Sequence, residues 1–123
     1  MLGAEKLVAF VATRDSKHAK EFYRDTLGLR LVSEDPFGLV FDAGGTMLRV
    51  TRVSDLVTAK YTVLGWHVRD IVSTARQPRE AHVSLERYPG MQQDELGIWS
   101  SPSGARVGWF KDPDGNTLSV TQF

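Results

Sequence analysis

The sequence predicts an α+β domain built from two βαβββ modules, and three observations carry that prediction. A strand-to-helix junction, Arg14-Asp15, returns 55 residues later as Arg69-Asp70. The elements around each junction follow in the same order, and an internal repeat of this kind bears directly on fold class. The chain also closes on Val107-Gly108-Trp109-Phe110-Lys111 and Thr117-Leu118-Ser119-Val120, joined by Asp112-Pro113-Asp114-Gly115. Those four residues are the choices of a type I turn, and the alternating flanks make the segment a hairpin with a glycine corner.

At 123 residues, with 41% hydrophobic and 24% charged residues, the chain has the makeup of one globular domain with a sizeable core. Module one spans 5–53 and module two 61–123 of that domain. Fifteen basic residues balance fifteen acidic ones, which argues against a nucleic-acid or anionic-membrane partner. There is no cysteine, so no disulfide framework and no thiolate metal site. Neither a transmembrane run nor a signal-peptide pattern is present, and a cytoplasmic protein is expected.

Leu7–Ala12 is a continuous apolar run, read as a strand covered on both faces. Asp15 or Ser16 caps a helix whose apolar stripe is Ala19, Phe22, Tyr23 and Leu27, and Gly28 stops it. Strands follow over Leu29–Ser33, Gly38–Phe41 and Thr46–Val53, separated by Glu34-Asp35-Pro36 and Asp42-Ala43-Gly44-Gly45. In module two a strand over Tyr61–Val68 leads to Asp70, which caps a helix carrying Ile71, Val72 and Ala75. Pro78 stops or kinks that helix. Val83–Tyr88 alternates as a strand, and Pro89-Gly90 opens a polar loop holding Asp94 and Glu95. Gly97–Ser100 is a short strand and Ser101-Pro102-Ser103-Gly104 a turn before the closing hairpin.

Phe22-Tyr23-Arg24-Asp25-Thr26-Leu27-Gly28-Leu29, Phe110-Lys111-Asp112-Pro113-Asp114-Gly115-Asn116 and the two modules together resemble the vicinal oxygen chelate superfamily. That group holds the glyoxalase, bleomycin-resistance and extradiol-dioxygenase relatives. The resemblance covers essentially the whole chain. It implies that the curved sheets of the two modules form one cup with the helices outside, usually in a homodimer. It also implies that metal-using members take four ligands, typically His or Gln and Glu, from the first and last strands of each module. Carried over by motif, those positions are Val8, Arg49, Val63 and Ser119. Divalent ions need carboxylate or imidazole donors. Valines offer none, Arg49 brings a fixed cation, and Ser119 alone is a poor ligand. No metal and no other cofactor is expected.

Strand periodicity then says which side chains share the cup face with those positions. They are Phe10 and Ala12, Met47 and Thr51, Gly65 and His67, and Thr117 and Thr121. Leu7, Val11, Leu48, Val50, Leu64, Leu118 and Val120 fall on the helix side. The expected ligand-binding residues are Phe10, Met47, Arg49, His67, Trp99, Trp109 and Ser119. Arg49 either holds a ligand carboxylate or phosphate, or pairs with an internal acid or solvent. His67 is either a general base or a hydrogen-bonded strand-end residue. Trp99, Trp109 and Tyr88 either form a stacking platform or pack the core or a dimer interface. His18, Asp94 and Glu95 read as solvated surface, Lys111 as a turn residue that needs no function, and Gly44-Gly45 as a hairpin turn rather than a phosphate loop.

The function this supports is a metal-independent small-molecule binding protein similar to the bleomycin-resistance branch. The alternative is a metal-dependent isomerase, lyase or dioxygenase that uses non-standard ligands such as His67 with a loop carboxylate. A third reading is an interaction module with a vestigial cup.

Overall fold

The computed structural model describes residues 1–77 and 83–123, and the chain divides into two compact units, Met1–Val57 and Thr58–Phe123. Pro78 lies outside the described residues. Each unit carries a four-stranded mixed sheet with helix on one face. The first holds β1 (Val8–Thr13), α1 (Ser16–Lys20), a π-helix (Glu21–Thr26), β2 (Arg30–Asp35), β3 (Gly38–Ala43) and β4 (Thr46–Arg52), in sheet order β1-β4-β3-β2. The second holds β5 (Leu64–His67), α2 (Ile71–Ala75), β6 (Trp99–Ser100), β7 (Arg106–Lys111) and β8 (Thr117–Gln122), in sheet order β5-β8-β7-β6. In both, the first strand lies parallel to the last, and the last pairs antiparallel with its predecessor. The order is βαβββ twice.

The repeated junction is a matched pair of helix caps. Asp15 has φ −140° and ψ 95°, and Asp70 has φ −139° and ψ 96°. Asp15 accepts from the Lys17 and His18 amides, and Asp70 from the Ser73 amide, so each aspartate satisfies amides that a helix start leaves without partners. Ser16 is not the cap, and its hydroxyl is buried without a partner among the described residues. The first helix departs from the expected α-helix after Lys20. The Leu27 amide reaches back five residues to the Phe22 carbonyl, and the Leu29 amide six to Tyr23. Gly28 takes a φ of 76° there, which fits its expected role as the stop.

Alternation sorts the faces as period two requires. Val11, Leu39, Phe41, Leu48 and Val50 are buried together with Ala19 and Tyr23, and α1 lies over β3 and β4. In the second unit Ile71, Phe110, Leu118 and Val120 form the buried set under α2, and Trp66 stacks on Phe110 at 6.3 Å. Three expectations need correction. β1 is covered on one face only, since Val8 and Phe10 are exposed. Leu7 is exposed because it precedes the strand that was expected to start with it. Val83–Tyr88 forms no strand. It is held beside β7 by one ladder-like bond, Glu86 amide to Trp109 carbonyl at 2.6 Å.

The closing hairpin follows its sequence. The Gly115 amide donates to the Asp112 carbonyl at 3.0 Å, and Gly115 sits at φ 87°. The Asp112 carboxylate accepts from the amides of Asp114 and Asn116, both at 2.9 Å, and from Asn116 Nδ2 at 2.8 Å. Gly44 and Gly45, at φ 61° and 95°, make the two-residue turn between β3 and β4.

Candidate functional site

The expected site residues fall into two sets, one on each unit. On the first unit, Phe10 pairs with Arg49 and Val8 with Met47 across β1 and β4, so all four share the face away from α1. That face is open: Phe10 is 61% and Met47 44% exposed. Asp42, also on it, is bound to the Arg30 guanidinium at 3.0 Å and to the Gly45 amide, and both hold its carboxyl below the usual carboxylate range. The Arg49 side chain makes no hydrogen bond or ion pair among the described residues, and it lines a shallow groove with Asp35, Phe37, Gly38, Val40 and Thr51. An arginine left without an internal acid can still grip a planar anion through its fork of donors.

On the second unit one row across the sheet runs Gly65, Ser119, Trp109, and the next runs His67, Thr121, Val107, Trp99. Both rows lie on the face away from α2. The Trp99 and Trp109 rings meet at 6.0 Å, and Tyr88 stands edge-on to Trp109 at 5.8 Å. All three rings are half-buried, so they form a cluster with accessible surface rather than a sealed core. Burial, and then the charge of Glu86, pushes the Tyr88 phenol above its ordinary range. His67 is separated from Trp99 by three strand spacings, about 14 Å. Its ring meets Phe123 instead, edge-on at 5.1 Å. The sheet therefore sets Trp109 beside Ser119 and against Trp99, while His67 stands across β8 from the tryptophans, opposite Thr121.

Ser119 is 6% exposed, and its hydroxyl has no hydrogen-bond partner among the described residues. It is not sealed off either, since the oxygen keeps some accessible surface. Its neighbour Gly65 explains the access: a Cβ there would stand 2.9 Å from Ser119 Oγ. Sequence reading placed Gly65 on this face without giving it a role. The available signal was a glycine inside a strand, which marks a close approach.

Two loop residues that sequence reading took as surface, or did not single out, set the aromatic cluster. Gln93 donates through Nε2 to the carbonyls of Glu86 and Gly97, and its Oε1 accepts from the Tyr88 amide, all at 2.8 Å. Asp94 is a loop organiser whose carboxylate accepts from the amides of Leu96 and Ile98. Arg87 ties the same loop by donating to the Asp94 and Glu95 carbonyls. Lys111 and His18 are also engaged, the first donating to Thr117 Oγ1 at 2.6 Å and the second paired with Asp15 at 2.8 Å.

The sequence model of the Glyoxalase/Bleomycin resistance protein/Dioxygenase superfamily matches residues 7–120. The chain belongs to this superfamily. Among solved structures it is similar to a superfamily member from Sphaerobacter thermophilus DSM 20745, at 22% identity and a TM-score of 0.74, with all of both chains covered. It is also similar to TioX from Micromonospora sp. ML1, at 18% identity and a TM-score of 0.70, covering 97% of this chain and 98% of that one. A lactoylglutathione lyase from Agrobacterium tumefaciens gives 18% identity and a TM-score of 0.68, covering 97% of this chain and 93% of that one. At these identities the likeness shows the fold. No protein of curated function matches the chain.

The superfamily's metal can be tested against the residues present. The register places Arg49 opposite Phe10 and Ser119 opposite Gly65, equivalent points of the two units. Val8 and Val63 lack donor atoms, and Arg49 would set a cation against a cation. This donor set does not fit a divalent ion. Among the described residues no group of three His, Asp or Glu side chains converges elsewhere.

Proposed function

We propose that this chain is a small-molecule binding protein that works without a resident divalent ion, and that the face of its second unit away from α2 takes a planar ligand. The observation that carries the reading is the half-buried Trp99–Trp109–Tyr88 cluster on the same face as the Ser119 hydroxyl. Apolar walls with a few polar orienting groups are the usual makeup of a ligand site. Stacked rings add about 0.5–1.5 kcal/mol each beyond the area they bury. On the first unit, Phe10, Met47 and Arg49 are proposed as ligand contacts too, Arg49 through a carboxylate or phosphate.

The test is thermal stabilisation by a panel of planar compounds, measured with a chelator present. A ligand at 100 times its Kd should add about 2.7 kcal/mol. A panel that leaves the melting temperature unmoved, with or without ions, sinks the proposal. Stabilisation that appears only when Mn, Fe, Ni or Zn is added transfers the case to a metal-dependent enzyme.

A further inference from the structure

We infer that Asp35 and Arg49 are the two poles of a groove on the first unit that takes the ammonium and carboxylate of a free α-amino acid. This inference rests on the reading that Arg49 meets a ligand carboxylate. It starts from two opposite charges that share one groove and do not neutralise each other. Asp35, Phe37, Gly38, Val40, Arg49 and Thr51 line that groove. The Arg49 side chain makes no hydrogen bond or ion pair among the described residues. Asp35 accepts from the Phe37 amide through Oδ1 at 2.7 Å, and its Oδ2 makes no bond among them. Both residues are exposed.

The sheet explains why the two charges stay apart. Asp35 lies opposite Gly38 and Gly38 opposite Thr51, so these three form one row across β2, β3 and β4. Arg49 lies in the next row on the same face, opposite Val40. Two strand spacings one way and two residues the other put the Asp35 and Arg49 Cα atoms about 12 Å apart. Between them Gly38 leaves the floor bare, and glycine is required there because a Cβ would overlap the Val50 carbonyl oxygen. Val40 and the exposed Phe37 ring supply apolar surface beside that floor. Asp42, the other acid near Arg49 on this face, is already held by the Arg30 guanidinium and the Gly45 amide. A simple carboxylate in the groove would gain Arg49 but face Asp35, and a simple amine would face Arg49. A zwitterion answers both, with its carboxylate on the guanidinium fork and its ammonium on Asp35 Oδ2. The Thr51 hydroxyl makes no bond among the described residues, and it stands in the floor row as a further acceptor for the ammonium.

The test uses L-leucine and two relatives that carry one charge each, N-acetyl-L-leucine and L-leucinamide, on the full chain. Leucine has no planar ring, so the tryptophan cluster of the second unit does not answer for it. Binding is read by NMR from the Gly38 and Thr51 amide signals at about pH 6, where the leucinamide amine stays charged. The native protein should bind L-leucine about 3–10-fold more tightly than either relative, as solvent-exposed charge pairs allow. Asp35→Asn keeps the acceptor for the Phe37 amide, and it should remove that advantage while leaving N-acetyl-L-leucine as tight or tighter. Arg49→Gln should weaken L-leucine to the same degree and leave L-leucinamide as tight or tighter. The inference is overturned if L-leucine binds no more tightly than its relatives, if its shifts lie away from Gly38 and Thr51, or if either variant weakens all three probes alike. Acetate and inorganic phosphate separate the two readings. Shifts at Gly38 and Thr51 from either anion, with none from L-leucine, overturn the zwitterion and leave the Arg49 reading standing. Silence from every probe overturns both.

Discussion

Asp112→Ala tests how the closing hairpin is held. Asp112 is 6% exposed, and its carboxylate accepts from two backbone amides and from Asn116 Nδ2 at 2.8–2.9 Å. The Asn116 amide is buried, and losing this acceptor costs about 1–3 kcal/mol. The Asp114 amide is only part-buried and can turn to water, so its loss costs less. Together these place the variant about 2–4 kcal/mol below the native chain. For a domain of this size, about 4 °C per kcal/mol gives a melting temperature lowered by about 8–16 °C. Asp112→Asn keeps one oxygen for the two amides but turns an NH2 toward Asn116 Nδ2, so it should fall between the two. Denaturant unfolding followed by circular dichroism measures both, with the midpoint shifting and the slope unchanged. A loss under about 0.5 kcal/mol for Asp112→Ala, or an equal loss for Asn and Ala, would refute the reasoning.

Other outcomes follow from the same geometry. Gln93→Ala removes the bond that fixes the Tyr88 amide and two bonds to carbonyls, and should cost about 1–3 kcal/mol while broadening the Trp109 indole signal. Gly38→Ala should cost several times as much as Gly90→Ala, although both glycines have positive φ. A Cβ at 38 would overlap the Val50 carbonyl oxygen, whereas the space at 90 is open. Because the Tyr88 phenol ionises above its ordinary range when folded, its contribution is fully present below pH about 10 and is lost as pH rises further. Comparing absorbance titrations of the native chain and Tyr88→Phe should show the variant lacking one phenol that ionises above the ordinary range.

What could be read in the sequence was local or strictly periodic. The Asp15 and Asp70 caps need only residues within one turn, and their dihedrals agree within a degree. The Asp112–Gly115 turn is equally self-contained. Period two sorted the faces of β1 and β4 because one face of each is buried against helix, whereas residues 117–120 of β8 are buried on both faces. Events set by tertiary contact stayed hidden. The π-helix depends on the Leu27 amide finding the Phe22 carbonyl rather than the one four residues back. Val83–Tyr88 has a strand's alternation, with Leu85 against Gly97 and Gly108 and with Tyr88 on Trp109. A Gln93 side chain takes the place of ladder bonds, which no pattern in the segment announces. At the site, the residues on the second unit's face away from α2 could be named from the strands. The access that Gly65 leaves to Ser119 could not, because it depends on the parallel pairing of β5 with β8.

The most direct test of the central claim is a crystal structure of the protein bound to the planar compound that stabilises it most, grown with a chelator. The account predicts a ring stacked against the Trp99–Trp109–Tyr88 cluster. A ligand bound elsewhere, or one that enters only with a divalent ion, would contradict it.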